Sequence, residues 1–173
     1  MRQLTFGLIL TFASALPAAA QLKGQPPTLP ATDVSSKDIQ AFLKALPPNE
    51  ISDLPIRAVD VGGYRVGVFG VRRPKAMPGD AIAHNTRTTE VYYILDGAGV
   101  LVTGGVITDV KARPPGRNTG PRGDKIEGGL SRRVSAGDMI IIPGKTPHWW
   151  SSLESDIHYL IIRPDPDGRM NLK

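Results

Sequence analysis

The sequence predicts an all-β domain, a sandwich or barrel of short strands, preceded by one amphipathic helix. Three observations predict it. From Ile56 onward, short segments rich in β-branched and aromatic residues alternate with Gly, Pro and Asp. A single segment carries a helical apolar period. Once an N-terminal leader is set aside, roughly 150 residues remain, enough for one well-buried core.

The leader comes first. "MRQLTFGLILTFASALPAAAQ" has a positive residue at Arg2, an apolar run from Leu4 to Leu16, and small residues Ala18 and Ala20 before Gln21. That order is expected of a secretory signal peptide over residues 1–20. The apolar run falls short of the ~20 residues a spanning helix needs, so no stable membrane anchor is expected. The expectation is an exported protein, periplasmic or secreted. The chain contains no cysteine. Disulfides, thiolate ligands and a cysteine-linked lipid are thereby excluded, and any soft-metal site must use His and carboxylate.

Residues 21–34, rich in Pro, Thr and Gln, read as a flexible arm. The domain proper is expected over 35–173. It opens with "SSKDIQAFLKALPP", where Ser35 is a candidate N-cap and Asp38 follows three residues on. Ile39, Phe42, Leu43 and Leu46 fall on one helical face, and Pro47 and Pro48 end the run. This helix is expected to pack outside a larger body or across a partner subunit.

Strands follow in "YRVGVFGV", "DAIAHNT", "EVYYILDGAGVLVTGGVI", "GGLSRRVSAGDMIIIP", "PHWWSSL" and "IHYLIIRP". Within "LDGAGVLV", Asp96-Gly97 is the expected turn of a hairpin. "DVKARPPGRNTGPRGDKIEGG" breaks the rhythm, and a loop of about twenty residues is usually functional or disordered. The formal charge is +5, and between Lys111 and Arg133 there are seven basic residues and two acidic ones. With no nucleic-acid motif, this patch suits an anionic small molecule, or simply a solvated loop, better than nucleic acid.

The chain has three histidines, His84, His148 and His158, all in or beside expected strands. Gly79, His84, Glu90 and Gly97 form one spaced group; Gly137, Pro143 and His148 form a second, with Gly144 inside it and Ser152 after it. Over roughly residues 60–163 these two groups resemble the paired motifs of the cupins. The first motif departs from the pattern: Thr86 stands where a second histidine is usual, and one residue is missing between Gly79 and His84. The resemblance implies a double-stranded β-helix, a cupin-type jelly-roll barrel. It also implies a metal held inside by His84, Glu90 and His148. Two imidazoles and one carboxylate suit a divalent transition metal, Fe(II) best, with Mn, Ni, Zn or Cu as alternatives. The other reading is a barrel that lost its metal along with the fourth ligand, leaving polar groups around an organic cavity.

Alternation from these ligands places Tyr92 and Trp150 inward and Tyr93 and Trp149 outward. Thr86, Tyr92, Trp150 and His158 are therefore the candidate substrate-pocket residues, His158 also as a partner behind the ligands. Tyr92 is a candidate general acid and Arg87 a candidate anchor for a substrate carboxylate. The resemblance implies an enzyme of dioxygenase type acting on a small, anionic or aromatic substrate. Isomerase or decarboxylase chemistry, and a small-molecule-binding protein without catalysis, are the alternatives. Cupins are often dimers, so a homodimer is expected.

Overall fold

In the computed structural model, residues 29–112, 120–170 and 172 are described. The chain divides into two units, Met1–Pro30 and Ala31–Lys173. In the first, the described residues Leu29 and Pro30 have no regular structure. The expected signal peptide, most of the expected arm, and Arg113 and Arg117 of the basic loop lie outside the described residues. No described helix is long and apolar enough to cross a membrane.

The second unit opens with α1 (Ser36–Ala45). The Ser35 hydroxyl accepts from the Asp38 backbone N–H at 3.1 Å, which satisfies one of the helix's open donors. Leu46 closes the helix by donating its N–H to the Leu43 carbonyl. Its apolar side settles on the barrel at Gly70, where a Cβ would stand 2.8 Å from the Phe42 ring. The helix therefore lies on the body of its own unit.

Among the described residues twelve strands follow: β1 (Ser52–Asp60), β2 (Arg65–Arg73), β3 (Ala81–Ile82), β4 (Glu90–Asp96), β5 (Ala98–Thr103), β6 (Val106–Thr108), β7 (Arg122–Gly123), β8 (Lys125–Glu127), β9 (Leu130–Ser135), β10 (Met139–Ile142), β11 (His148–Leu153) and β12 (Ile157–Asp165). One sheet has the order β1-β2-β12-β4-β10, the other β7-β3-β11-β5-β9, and β6 pairs with β8. Every pairing is antiparallel. The eight core strands thus interleave the two halves of the chain, β2-β12-β4-β10 facing β3-β11-β5-β9. That is the strand order of a jelly roll, closed around one core.

Alternation fills that core from both sheets. Val71, Tyr92, Ile94, Ile140, Ile142, Ile157, Tyr159 and Ile161 come from the first, and Leu101, Val134, Trp150 and Leu153 from the second. Tyr93 faces outward, 38% exposed. Trp149 leaves the main core and packs on a smaller cluster around Ala81, Val102 and Ile126.

Three expectations need correction. First, Asp96-Gly97 does not turn a hairpin: β4 and β5 belong to different sheets, so the chain changes sheet there. Gly97 has φ +79°, and a Cβ would stand 2.2 Å from the Asp156 carbonyl, so the corner admits only glycine. Second, "GGLSRRVSAGDMIIIP" is two strands, which again lie in different sheets. Third, β1 begins before Ile56 and includes Pro55, which an edge strand tolerates, with the register shifting between Pro55 and Arg57.

Candidate metal centre

The site is built where three elements converge. His84 lies just beyond β3, Glu90 is the first residue of β4, and His148 is the first of β11. The turn before His148 is tight, with the Thr146 N–H donating to the Pro143 carbonyl at 3.1 Å and Lys145 at φ 68°. Gly144 sits within it. A Cβ there would stand 2.6–2.8 Å from the Arg87 backbone, so glycine lets the loop between β3 and β4 lie against the turn. That contact brings His84 and His148 to the same end of the barrel, with ring centroids 5.4 Å apart.

Glu90 is 2% exposed and lies between the two imidazoles. Its Oε1 faces His84 Nε2 at 3.4 Å, and its Oε2 faces His148 Nε2 at 3.3 Å. The three ligand atoms all lie within 4.8 Å of one another. Two donors sharing one ion at a bond length near 2.1 Å are about 3–3.5 Å apart and never more than about 4.2 Å, so each histidine–glutamate spacing suits a single small cation, around which the three donors would draw slightly closer. The state of His148 supports this. Its Nδ1 lies 2.9 Å from the Thr146 carbonyl, which makes that nitrogen the donor and leaves a lone pair on Nε2. Nε2 is buried and has no hydrogen-bond partner among the described residues. Burial, only partly opposed by Glu90, also lowers the pKa of His148 and keeps the ring neutral. A neutral, oriented imidazole with an unused buried lone pair is what a metal ligand requires.

The Glu90 carboxylate has a further partner that sequence reasoning did not pick out. Arg163 on β12 donates from Nε to Oε1 at 2.7 Å, and its other nitrogens hold Asp53 on β1 at 2.8 and 2.6 Å. The guanidinium also lies 4.2 Å from the centre of the Phe69 ring. Burial works against ionisation of Glu90, but the hydrogen bond from His84 and the charge of Arg163 outweigh it and hold its pKa far below the usual carboxylate range. Burial likewise opposes the charge on Arg163, and Asp53 and Glu90 overcome it. The signal for Arg163 was present in the sequence: Ile157, Tyr159, Ile161, Arg163 and Asp165 alternate along β12 and all face inward.

Beside this cluster opens a cavity of about 300 Å³. Its wall includes His84, Thr86, Thr88, Phe69, Arg169 and Met170. Thr86 therefore stands on the cavity, on the same wall as His84. Tyr92 donates to Glu90 Oε2 at 3.3 Å from within the core, and burial raises its pKa well above the usual value, so it stays protonated. Trp150 stacks on Tyr159 in the core, 5.8 Å between ring centres, and does not line the cavity. Its strand carries it past the metal end, because His148 occupies that level of the barrel.

The other two expected site residues are placed elsewhere. His158 is at the opposite end of β12 from Arg163, with Nδ1 2.7 Å from Asp96 Oδ1 at the sheet corner. Arg87 is exposed and pairs with Asp167 at 2.6 Å. Four of the five described cations of the basic segment are engaged locally, Arg122 by Asp80. Lys111 bridges Asp80 and Asp124, Lys125 meets Glu127, and Arg133 meets Glu154.

No family model matches the sequence, and no curated protein matches it. Solved structures do show a distant likeness. BH2720 from Bacillus halodurans is 15% identical with a TM-score of 0.48, covering 83% of this chain and 88% of its own. TT1209 from Thermus thermophilus is 13% identical with a TM-score of 0.47, covering 73% of this chain and 93% of its own. A cupin superfamily protein from Desulfitobacterium hafniense is 16% identical with a TM-score of 0.43, covering 84% of this chain and 99% of its own. At this distance the fold assignment rests on strand order and on the two motif groups in the barrel. On those grounds the chain has the cupin-type jelly-roll fold, with a His84, Glu90 and His148 cluster able to hold a metal.

Proposed function

We propose that this is an exported enzyme that binds one divalent transition metal through His84, Glu90 and His148 and transforms a small organic molecule in the adjoining cavity. The observation that carries this reading is the buried, unpartnered Nε2 of His148, aimed at Glu90 in a set of three donors of the right kind. Two histidines and one carboxylate leave coordination positions open, and Fe(II) is the metal we assign, with dioxygenase chemistry as the specific reaction. When bound, the metal supplies a Lewis-acidic site where substrate and dioxygen meet.

The chain's own residues do the rest. The Thr146 carbonyl fixes the His148 tautomer. Arg163 holds one oxygen of Glu90 and so turns the other toward His148. Tyr92, kept protonated by burial, donates to that second oxygen and orients the carboxylate from below. Thr86 puts a hydroxyl, rather than a strong ligand, on the cavity wall.

Elemental analysis of the natively purified protein, beside His84→Ala and His148→Ala, tests the proposal. Close to one equivalent of one transition metal, lost in both variants, is expected. A protein that holds none, and takes up none on refolding in metal salts, would overturn it. The second reading is a binding protein without turnover. It draws on the 2.7 Å Arg163–Glu90 contact, which balances the buried carboxylate with no ion present.

A further inference from the structure

The C-terminal turn after β12 forms a wall of the cavity, and it is tied down at several points. Asp165, 1% exposed, accepts the Met170 N–H at 2.7 Å. Arg65 donates to the carbonyls of Gly168, at 2.6 Å, and Met170. Arg87 holds Asp167. Met170 packs over Gly67, whose missing side chain makes room for its sulfur, and against the main core. A segment held this way presents whatever it carries in a fixed place. It carries Arg169, which is exposed and lines the cavity; its charge reaches Asp167, a carboxylate that Arg87 already holds by hydrogen bonds.

Charge balance says what Arg169 faces. The cavity is lined by three carboxylates, Asp53, Glu90 and Asp165, and two guanidiniums, Arg163 and Arg169. The formal charges of these five side chains sum to −1. A divalent ion on His84, Glu90 and His148 reverses this to +1. Arg163 is already occupied by Asp53 and Glu90, and Arg87 holds Asp167, so the positive charge that the loaded cavity offers a ligand lies on the metal and on Arg169. Phe69 and Met170 supply apolar wall.

We infer that Arg169 is a specificity residue which anchors the carboxylate of a small monoanionic substrate with an apolar body, and that the cavity selects anions only when metal is bound. This rests on the metal reading above and extends it to substrate class.

The test is calorimetric binding of benzoate and phenylacetate, each against its uncharged amide. Zn(II)-loaded and metal-stripped protein would be compared for the wild type, Arg169→Ala and Arg169→Lys. In loaded wild type, the better acid should bind about ten- to a hundredfold tighter than its amide, the usual worth of a charged hydrogen bond. Arg169→Ala should lose most of that preference with Zn(II) stoichiometry and melting temperature unchanged, and Arg169→Lys should recover part of it. Stripping the metal should abolish the preference in every form. Acids that bind no tighter than amides, or an acid preference untouched by Arg169→Ala, would overturn the inference. Failure of the wild type to take up Zn(II) would overturn the metal reading itself, and with it the charge reversal that acid selection needs.

Discussion

Replacing Arg163 by methionine isolates the charge that holds the centre together. The variant keeps a long apolar stem over Phe69 but removes the guanidinium donors to Glu90 and Asp53. The two ends are not equal. Asp53 is 39% exposed in its side chain, so water replaces the lost partner and that end costs at most about 1 kcal/mol. Glu90 is 2% exposed, and its remaining polar neighbours are Tyr92, His84 and His148. Leaving a buried charge without its partner typically costs about 3–5 kcal/mol, so the metal-free variant should lose about 3–5 kcal/mol in all. For a domain of this size that lowers the melting temperature by roughly 10 °C. Urea titration of metal-free protein at neutral pH reads the loss directly. Arg163→Lys restores a point charge that can reach one carboxylate at a time, so it should recover only part. If Arg163→Met is as stable as the wild type, Glu90 is not ionised against Arg163, and the orientation argued for its second oxygen fails.

Further outcomes can be measured on the same protein. Both His148 and Glu90 have pKa values lowered by folding, so each contributes stability above its ordinary value and loses it as pH falls. Metal-free protein should therefore weaken below the ordinary histidine value of 6.5 and again below the ordinary carboxylate value of 4.5, seen as two steps in urea midpoints; a flat profile to strong acid would contradict the placement of both groups. Gly97→Ala should destabilise by more than about 3 kcal/mol or prevent folding, since it adds a backbone clash to a left-handed conformation. Gly104→Ala, at φ +74° with open space around it, should cost only about 1–2 kcal/mol, and equal losses at the two sites would refute the corner argument. Ser35→Ala should remove about 1 kcal/mol of helix capping, visible as faster amide exchange in α1 with the barrel amides unchanged.

How far the sequence can be read depends on the range of each interaction. The helix is legible almost to the residue, because its cap, apolar face and terminating prolines are neighbours in the chain. The three candidate ligands are legible because a spaced motif survives without knowledge of pairing. The Asp96-Gly97 corner is easily mistaken for a hairpin because a turn dipeptide reports only that the chain bends, while the sheet it enters depends on β11 and β12, far along the chain. Arg163 escapes notice for a related reason. An arginine near the end of an apolar strand looks like a solvated terminus until Glu90 and Asp53 are known to stand opposite. Arg87 attracts notice by lying between His84 and Glu90, yet its loop turns it outward to Asp167.

The place of β12 in its sheet sets the order in which the site can come into being. It lies between β2 and β4, pairing with β2 along its whole length and with β4 over His158–Ile162, and it is the last of the described strands. Before it arrives, the first sheet is split in two and Glu90 has no guanidinium opposite. Such late, distant pairings make for slow folding. The same arrangement makes the molecule intolerant of being shortened. A chain ending before Ile157 would not be a smaller barrel with a weaker centre, but two strand groups without the seam that joins them.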